Sequence, residues 1–235
     1  MTESLQIDPL APLRAPSVSD QVFHVLHDKI LTCSLPPLSK LSEADVAQQM
    51  GISRQPVREA FFRLSQLGFL QIRPQRATIV RPISIKEVLQ AMYIRRALEA
   101  EVVGQAVQVL DQEGLGQLSD LLGQQAEAAK EGDKIGFHQL DDAFHQQICE
   151  ANGTGFVWTL IKQKKAHMDR VRYLTLSFSV DQALAEHRAI FEALAAPDRD
   201  AAIARMRAHL GKIEKDLPRL QAEHEQYFAK DEDFA

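Results

Sequence analysis

The stretch that decides the fold reads Met50-Gly51-Ile52-Ser53-Arg54-Gln55-Pro56-Val57-Arg58-Glu59-Ala60, and an apolar pattern continues it to about Leu67. Val57, Phe61 and Leu64 repeat at helical spacing and predict a helix with one buried stripe. Pro56 falls in the first turn, where a helix tolerates it, and Gly51 is suited to end the preceding helix, which runs from Ser42. Two helices joined by so short a turn predict a helix-turn-helix.

Polar side chains project from the N-terminal end of this second helix. Arg54 and Arg58 are four residues apart and therefore lie on one face. In helix-turn-helix proteins this end of the helix enters the major groove. Guanidinium groups bond guanine edges or phosphates there, and Gln55 is suited to read adenine. With Ser53 at the helix start as its N-cap, these four residues are the predicted DNA contacts.

The segments on either side complete a DNA-binding module. Residues 17–31 have a helical apolar pattern, and residues 69–73 and 78–82 predict the two strands of a β-hairpin. Arg73, Arg76 and Arg81 lie on this hairpin, where a wing contacts the DNA backbone or minor groove. The sequence therefore predicts a winged helix-turn-helix over residues 17–82, preceded by a flexible, proline-containing arm over residues 1–16.

Charge and composition agree with this division. The chain has 235 residues and a formal net charge of −5, yet residues 54–81 hold six arginines and one acid, Glu59. A small basic segment joined to an acidic body is typical of a nucleic-acid-binding module with a partner domain. Two distant cysteines, Cys33 and Cys149, and no signal-peptide pattern or apolar run of membrane-spanning length favour a cytoplasmic protein.

The rest of the chain is predicted to be all-helical. Residues 83–218 carry a succession of helical patterns, with no β-rich run between them. Ser177–Ser179 interrupts the pattern, and the last helix is expected to end before Pro218. The predicted fold class is mainly α, an N-terminal winged helix-turn-helix with a small β-hairpin followed by an antiparallel helical bundle. Residues 219–235 are expected to form an acidic tail.

Four residues of the bundle are candidates to bind a metal ion. Asp141 and His145 are four residues apart and share one helix face, whereas His187 and His209 lie on two later helices. One carboxylate and three imidazoles suit a divalent transition metal, with Zn²⁺ as the first choice and Ni²⁺, Mn²⁺ or Fe²⁺ as alternatives.

Two resemblances extend this interpretation. The signature around Ser53-Arg54-Gln55-Pro56-Val57-Arg58-Glu59-Ala60 resembles that of the GntR family of bacterial transcription regulators. The later segments Arg95-Arg96-Ala97-Leu98-Glu99, Asp141…His145, Glu186-His187 and Met206…His209-Leu210 resemble the metal-binding FCD effector domain of its FadR subfamily.

The GntR resemblance implies a homodimer on double-stranded DNA with a palindromic operator, and Arg54 and Arg58 as the principal contacts. The FCD resemblance implies that Asp141, His145, His187 and His209 hold the ion. It also implies that a small organic-acid effector fills open coordination positions while Arg95 binds its carboxylate.

The predicted function is therefore a ligand-responsive transcriptional regulator, a repressor, and not an enzyme. Arg172 and His138 are further candidates for the effector site, although each is also compatible with ordinary packing or solvation. Two alternatives stay open at this point. The His/Asp site suits a metalloenzyme, and some relatives in the family are metal-free sensors of acyl-CoA.

Overall fold

The computed structural model describes residues 16–73 and 77–230. In that part, the N-terminal domain consists of α1 (Val18–Leu31), β1 (Lys40–Leu41), α2 (Glu43–Met50), α3 (Arg54–Gln66), β2 (Leu70–Gln71) and β3 (Thr78–Val80). Helix α3 packs on α1 and α2 through its buried stripe, which contains Val57, Phe61 and Leu64. The predicted winged helix-turn-helix is confirmed, with α3 as the second helix of the motif.

The wing is a three-stranded antiparallel sheet in the order β1-β3-β2. Lys40 pairs with Ile79 on one side of β3, and Leu70 pairs with Val80 on the other. The predicted hairpin is therefore present, although its strands are shorter than expected. Strand β1 was not predicted, because two residues are too few to show an alternating pattern.

The C-terminal domain is helical throughout the part that the structure describes. Its elements are α4 (Ile85–Val109), α5 (Gln112–Glu131), α6 (Lys134–Ala151), α7 (Gly155–Lys162), α8 (Ala166–Ala195), α9 (Arg199–Leu210), α10 (Lys212–Glu223) and a short 3-10 helix, Glu225–Tyr227. Helix α4 packs against α6, α8 and α9, and α5 packs against α6 and α8. None of the described helices is both long and apolar enough to cross a membrane.

Side-chain caps fix where many of these helices begin. The Ser17 hydroxyl accepts the backbone N–H of Asp20, whose carboxylate accepts the Ser17 N–H in return. Ser42 and Ser84 accept the third backbone N–H of α2 and α4 in the same way. These bonds satisfy donors that a helix start would otherwise leave unpaired, which explains why the sequence located these starts correctly.

The predicted break at Ser177–Ser179 is wrong. Helix α8 runs without interruption from Ala166 to Ala195, and the break lies earlier, between Lys162 and Ala166. The hydroxyl of Ser179 donates to the Thr175 carbonyl oxygen at 2.9 Å, one turn earlier. A serine that bonds back to its own helix satisfies its polar group without leaving the helix. His187 therefore lies on the same helix as Arg172.

The predicted helix end before Pro218 is also wrong. Helix α9 ends at Leu210, and α10 contains Pro218 in its interior. Leu217 and Leu220 are buried on either side of it, which compensates for the hydrogen bond that proline cannot form. Residues 219–230 are not a free acidic tail, because Phe228 is buried and forms a parallel bridge with Ile83.

Each domain has its own apolar core, and a third cluster lies at their junction. That junction cluster includes Ile83, Met92, Met168, Leu220 and Phe228, which come from the interdomain linker, α4, α8, α10 and the segment after it. The core of the N-terminal domain also includes Ala166, the first residue of α8. Helix α8 therefore contacts both domains.

Candidate metal centre and nucleic-acid surface

The N-terminal end of α3 is open to solvent. Ser53, Arg54, Gln55 and Arg58 are all exposed. Ser53 occupies the N-cap position, but its side chain makes no capping hydrogen bond, contrary to expectation. Backbone donors of the first turn are thus left without that intrahelical partner, as suits a surface that binds phosphate. The role of these residues in DNA binding stays a prediction.

One carboxylate contacts both arginines of this surface. Glu43, the first residue of α2, accepts hydrogen bonds from Nε and Nη2 of Arg58, each at 3.2 Å, and its Oε2 lies 3.9 Å from Nη2 of Arg54. An exposed ion pair contributes at most about 1 kcal/mol, so DNA phosphates can replace Glu43 at little cost. Sequence reasoning gave Glu43 no role.

The arginines of the predicted wing differ in their surroundings. The Arg73 guanidinium donates twice to Oε1 of Gln71, at 3.1 and 2.8 Å, and Arg76 lies outside the described residues. Arg81 is bonded to the helical domain, because its Nη2 lies 2.5 Å from Oε1 of Glu87 on α4. That arginine belongs to the domain junction.

The four predicted metal ligands come together. Asp141 and His145 lie on α6, His187 on α8 and His209 on α9, and one ligand atom from each lies within 4.8 Å of the others. Nε2 of His209 is 3.3 Å from Nε2 of His145 and 3.3 Å from Nε2 of His187. Nε2 of His187 is 3.5 Å from Oδ1 of Asp141.

This geometry fits a small transition-metal ion. Two ligand atoms at metal distances of about 2.0–2.1 Å in a tetrahedral arrangement lie about 3.3 Å apart. The two separations between imidazole nitrogens agree with that value, and three imidazoles with one carboxylate form a donor set that such ions prefer. His145, His187, His209 and Asp141 would hold the ion.

Two of the imidazoles are oriented by a hydrogen-bond acceptor on the far side of the ring, and the third has a carboxylate near that position. His187 donates from Nδ1 to Oε1 of Gln125 at 2.7 Å, and the orientation of that amide is set because its Nε2 donates to the Leu140 carbonyl. His209 donates from Nδ1 to Glu186 at 2.9 Å, and Nδ1 of His145 lies 2.6 Å from Glu99. A proton held on Nδ1 leaves the Nε2 lone pair free for a metal.

Burial sets the protonation of the ligand set. It lowers the pKa of His187 well below the ordinary value and also lowers the pKa of His145, so both rings are neutral at neutral pH. Burial alone would raise the pKa of Asp141, but the Arg172 guanidinium above all holds that pKa well below its usual range. The result is two neutral imidazoles beside one carboxylate, the states in which they bind a cation.

Arg95 lies beside the site but already has a carboxylate partner. It is buried, and its Nε donates to Oε1 of Glu99 at 2.5 Å while its Nη2 donates to Oε2 at 3.3 Å. Because Glu99 also contacts His145, the arginine is connected to the ligand set through one carboxylate. The salt bridge between Arg95 and Glu99 that the four-residue spacing allows is present, and a role in effector binding stays a prediction.

Arg172 and His138 lie in a buried charged network. Arg172 donates to Asp141 and also to Asp142 at 2.9 Å and Asp169 at 3.3 Å. Lys165 binds Asp142 and Asp169 at 2.5 and 2.8 Å, and Nε2 of His138 is 3.8 Å from Asp169.

A cavity of about 50 Å³ borders this network and the ligand set, and its lining includes Arg95, His138, Asp141, Arg172 and His209. The structure therefore brings all three predicted effector residues to one cavity.

Sequence reasoning missed the residues that support the ligands. These residues are Gln125, Glu186, Lys165 and Asp169. The partners of Gln125 and Glu186 lie 62 and 23 residues away, and the four-residue spacing of Lys165 and Asp169 does not by itself indicate a buried site. Glu186 directly precedes a ligand, which was the available clue for that residue. The other three require the three-dimensional structure.

Comparison with known proteins agrees with this architecture. The model of the FCD domain matches residues 90–212, and the model of bacterial regulatory proteins of the gntR family matches residues 18–80. The HTH-type transcriptional repressor RspR of Escherichia coli strain K12 is 34% identical over 233 residues, which cover 98% of this chain and 100% of RspR.

Two further proteins are similar. An uncharacterized HTH-type transcriptional regulator of Streptomyces ambofaciens is 36% identical over 212 residues, or 89% of each chain. The solved structure of E. coli McbR/YncC has the same fold, with a TM-score of 0.73 and 22% identity over 89% of this chain and 100% of that one.

These families consist of transcriptional regulators and not enzymes, so the metalloenzyme alternative is not supported. The exposed N-terminal end of α3, the small sheet and the helical domain are the parts that such a regulator requires. The chain belongs to the GntR family of bacterial transcription regulators and carries an FCD domain.

Proposed function

We propose that this protein is a repressor whose operator binding is modulated by a divalent metal ion and a small carboxylate effector in the FCD domain. The observation that carries the proposal is the convergence of His145, His187, His209 and Asp141, in which Nδ1 of His187 and of His209 is held by a hydrogen bond. When bound, the metal supplies a Lewis-acidic centre that attracts anions. Residues of the chain itself provide the rest of the effector site.

The cavity beside the ligand set favours a small, polar effector. A cavity needs about 10–15 Å³ to hold one water molecule, so a cavity of about 50 Å³ holds only a few waters or a short organic acid. Arg172 is the cation that contacts the ligand set directly, because its guanidinium donates to the Asp141 carboxylate. An effector carboxylate of similar geometry can accept the same donors, which would change the Asp141 contact.

The acyl-CoA alternative has less support. A long acyl chain needs a large apolar cavity, whereas this one has only about 50 Å³, and its lining combines apolar side chains such as Met92 and Met168 with the charged Arg172. The same four ligands would also have no role in a metal-free sensor.

The proposal includes a homodimer, and one surface suits a second copy of the chain. Tyr93 and Leu89 on α4 are 77% and 43% exposed, and Phe156 and Leu160 on α7 are 66% and 49% exposed. Helices α4 and α7 pack on each other. We call these four side chains the α4–α7 patch, and aromatic residues of this kind are enriched at protein interfaces.

Charges around the α4–α7 patch fit pairing about a two-fold axis. Glu150 lies at the N-terminal side of α7 and Lys162 is its last residue, and both are exposed. If two α7 helices pack antiparallel, Glu150 of each copy faces Lys162 of the other, as an isologous interface requires. Leu160→Glu should convert the dimer to a monomer in sedimentation equilibrium, while Val109→Glu, at the exposed end of α4, should not. A wild-type monomer would refute the homodimer.

The central experiment measures metal and DNA together. Duplexes that bind the protein are selected from a random pool, and their affinity is measured by fluorescence anisotropy with zinc-loaded and zinc-depleted protein. His187→Ala should lose bound zinc and the zinc response but still bind the selected duplex. His224→Ala, outside the ligand set, should behave as wild type. Zinc binding by His187→Ala at wild-type affinity, or no zinc response in wild type, would contradict the proposal.

A further inference from the structure

Arg170 presents a buried charge at the junction of the two domains. Its side chain is fully buried, and it forms no salt bridge with a carboxylate among the residues that the structure describes. Its Nη1 donates to the Arg81 carbonyl oxygen at 2.5 Å, its Nη2 lies 2.9 Å from Nδ1 of His167, and its Nε has no acceptor. Burial of a cation without a carboxylate partner is costly, so the contacts that Arg170 does make must stabilise its charge.

His167 completes the contact. The single lone pair of its Nδ1 is shared by the Arg170 guanidinium and the backbone N–H of Ser84 at 3.1 Å, so its proton resides on Nε2, which lies 3.0 Å from Glu87. Burial lowers the pKa of His167 to about 4, which keeps the ring neutral and Nδ1 able to accept. The arginine and the histidine act as one unit.

The groups that this unit holds belong to the interdomain linker. Arg81 follows β3, and its backbone N–H donates to Phe69 in the wing at 3.0 Å. Ser84 is the N-cap of α4, where the helical domain begins. Arg170 and His167 therefore bind residues at both ends of the segment 81–84, which joins the domains.

The same turns of α8 reach the metal centre from another face. Residues two apart on a helix point in nearly opposite directions, and Arg172 binds Asp141 while Arg170 binds the linker. Because a helix is stiff over a few residues, a movement of Arg172 also moves Arg170. Fewer than two turns thus separate a contact with a metal ligand from a contact with the DNA-binding domain.

We propose that Arg170 is a positioning residue, which together with His167 sets the orientation of the DNA-binding domain and transmits the state of the metal site to it through α8. The transmission rests on the proposed function, whereas the positioning does not. The linker has two arrangements in this scheme, and a metal or effector that alters the Arg172 contact favours one of them.

Arg170→Gln tests the proposal in the full-length protein, and Arg188→Gln, an exposed arginine of the same helix, is the matched control. Exchange of the amide hydrogens of Arg81, Ile83 and Ser84, the residues of the segment 81–84 that carry one, should become at least tenfold faster in Arg170→Gln and stay unchanged in the control. Zinc affinity should stay within twofold of wild type. The zinc-induced change in affinity for the selected duplex should fall to less than twofold.

The outcomes separate the two proposals. Unchanged exchange in residues 81–84 would overturn the positioning role whatever zinc does. Faster exchange with a full zinc response would overturn the transmission. If wild type itself shows no zinc response, the proposed function and the transmission fail together, and the exchange result still decides the positioning role. If Arg170→Gln does not fold, Arg170→Lys replaces it, because lysine can reach one of the two acceptors but not both.

Discussion

Gln125→Met removes the acceptor that orients His187 and nearly preserves the volume of the side chain. Gln125 is fully buried on α5, and its Oε1 accepts the His187 Nδ1 proton at 2.7 Å. Without that acceptor the ring can hold its proton on either nitrogen and can rotate away from the other ligands. Loss of such an outer contact weakens metal binding by about 10–100-fold, which equals about 1.4–2.7 kcal/mol.

The same change should destabilise the metal-free protein. The amide also donates to the Leu140 carbonyl at 3.1 Å, so methionine removes two buried hydrogen bonds. At about 1 kcal/mol for each bond, the free energy of unfolding should fall by about 2 kcal/mol. Urea denaturation of zinc-depleted protein measures this loss separately from metal affinity.

Zinc affinity is measured by competition with a chromophoric chelator. Gln124→Met, the exposed neighbour on the same helix, is the matched control and should leave the dissociation constant unchanged. Gln125→Glu keeps an oxygen acceptor for His187 and should retain zinc affinity, which distinguishes orientation of the ring from packing. If Gln125→Met binds zinc within twofold of wild type, the ring is not oriented by this contact and the reasoning is wrong.

Three further predictions concern other parts of the molecule. Arg58→Ala should weaken retention of the selected duplex at least tenfold without change in thermal stability, and unchanged retention in a gel-shift assay would mean that α3 is not the DNA-reading helix. The free energy of unfolding, measured in urea, should fall as the pH drops from about 6.5 towards 4. Burial lowers the pKa of His138 and of His167 to about 4, so the unfolded chain takes up protons on these rings at a higher pH than the folded protein does. A free energy that does not change over this range would contradict the buried, neutral rings. Ser179→Pro should cost about 3 kcal/mol or more because α8 is continuous there, whereas a loop at this position would tolerate the change in thermal denaturation.

Local signals explain how much of the fold the sequence predicted. The caps at Ser17, Ser42 and Ser84 and the buried stripe of α3 depend on residues three or four positions apart, which a sequence displays directly. The break before α8 was misplaced because serines often interrupt helices. In this helix the Ser179 hydroxyl bonds back to the Thr175 carbonyl, a contact that depends on the rotamer of one side chain.

The candidate site divides in the same way. The spacing of Asp141 and His145 is local, whereas His187 and His209 were candidates on two later helices, and the family resemblance supported all four as ligands. Their acceptors Gln125 and Glu186 were not predicted, because a glutamine or glutamate on a helix is usually exposed and its role appears only when α5 and α8 pack. Arg170 gave no signal for the same reason, since the linker that it binds is 89 residues away.

The pairing of Ile83 with the segment after α10 has a consequence during synthesis. The Ile83 N–H donates to the Tyr227 carbonyl at 2.8 Å, and the Ala229 N–H donates to the Ile83 carbonyl at 2.8 Å. Domains generally fold in the order in which they leave the ribosome, so the winged helix can form long before these partners exist. A nascent chain interrupted before Tyr227 would have a folded DNA-binding domain, but Ile83 of the interdomain linker would lack its hydrogen-bond partners. The contacts that fix the linker, and with it the orientation of the DNA-binding domain, are therefore completed only when residues 227–229 have been synthesised.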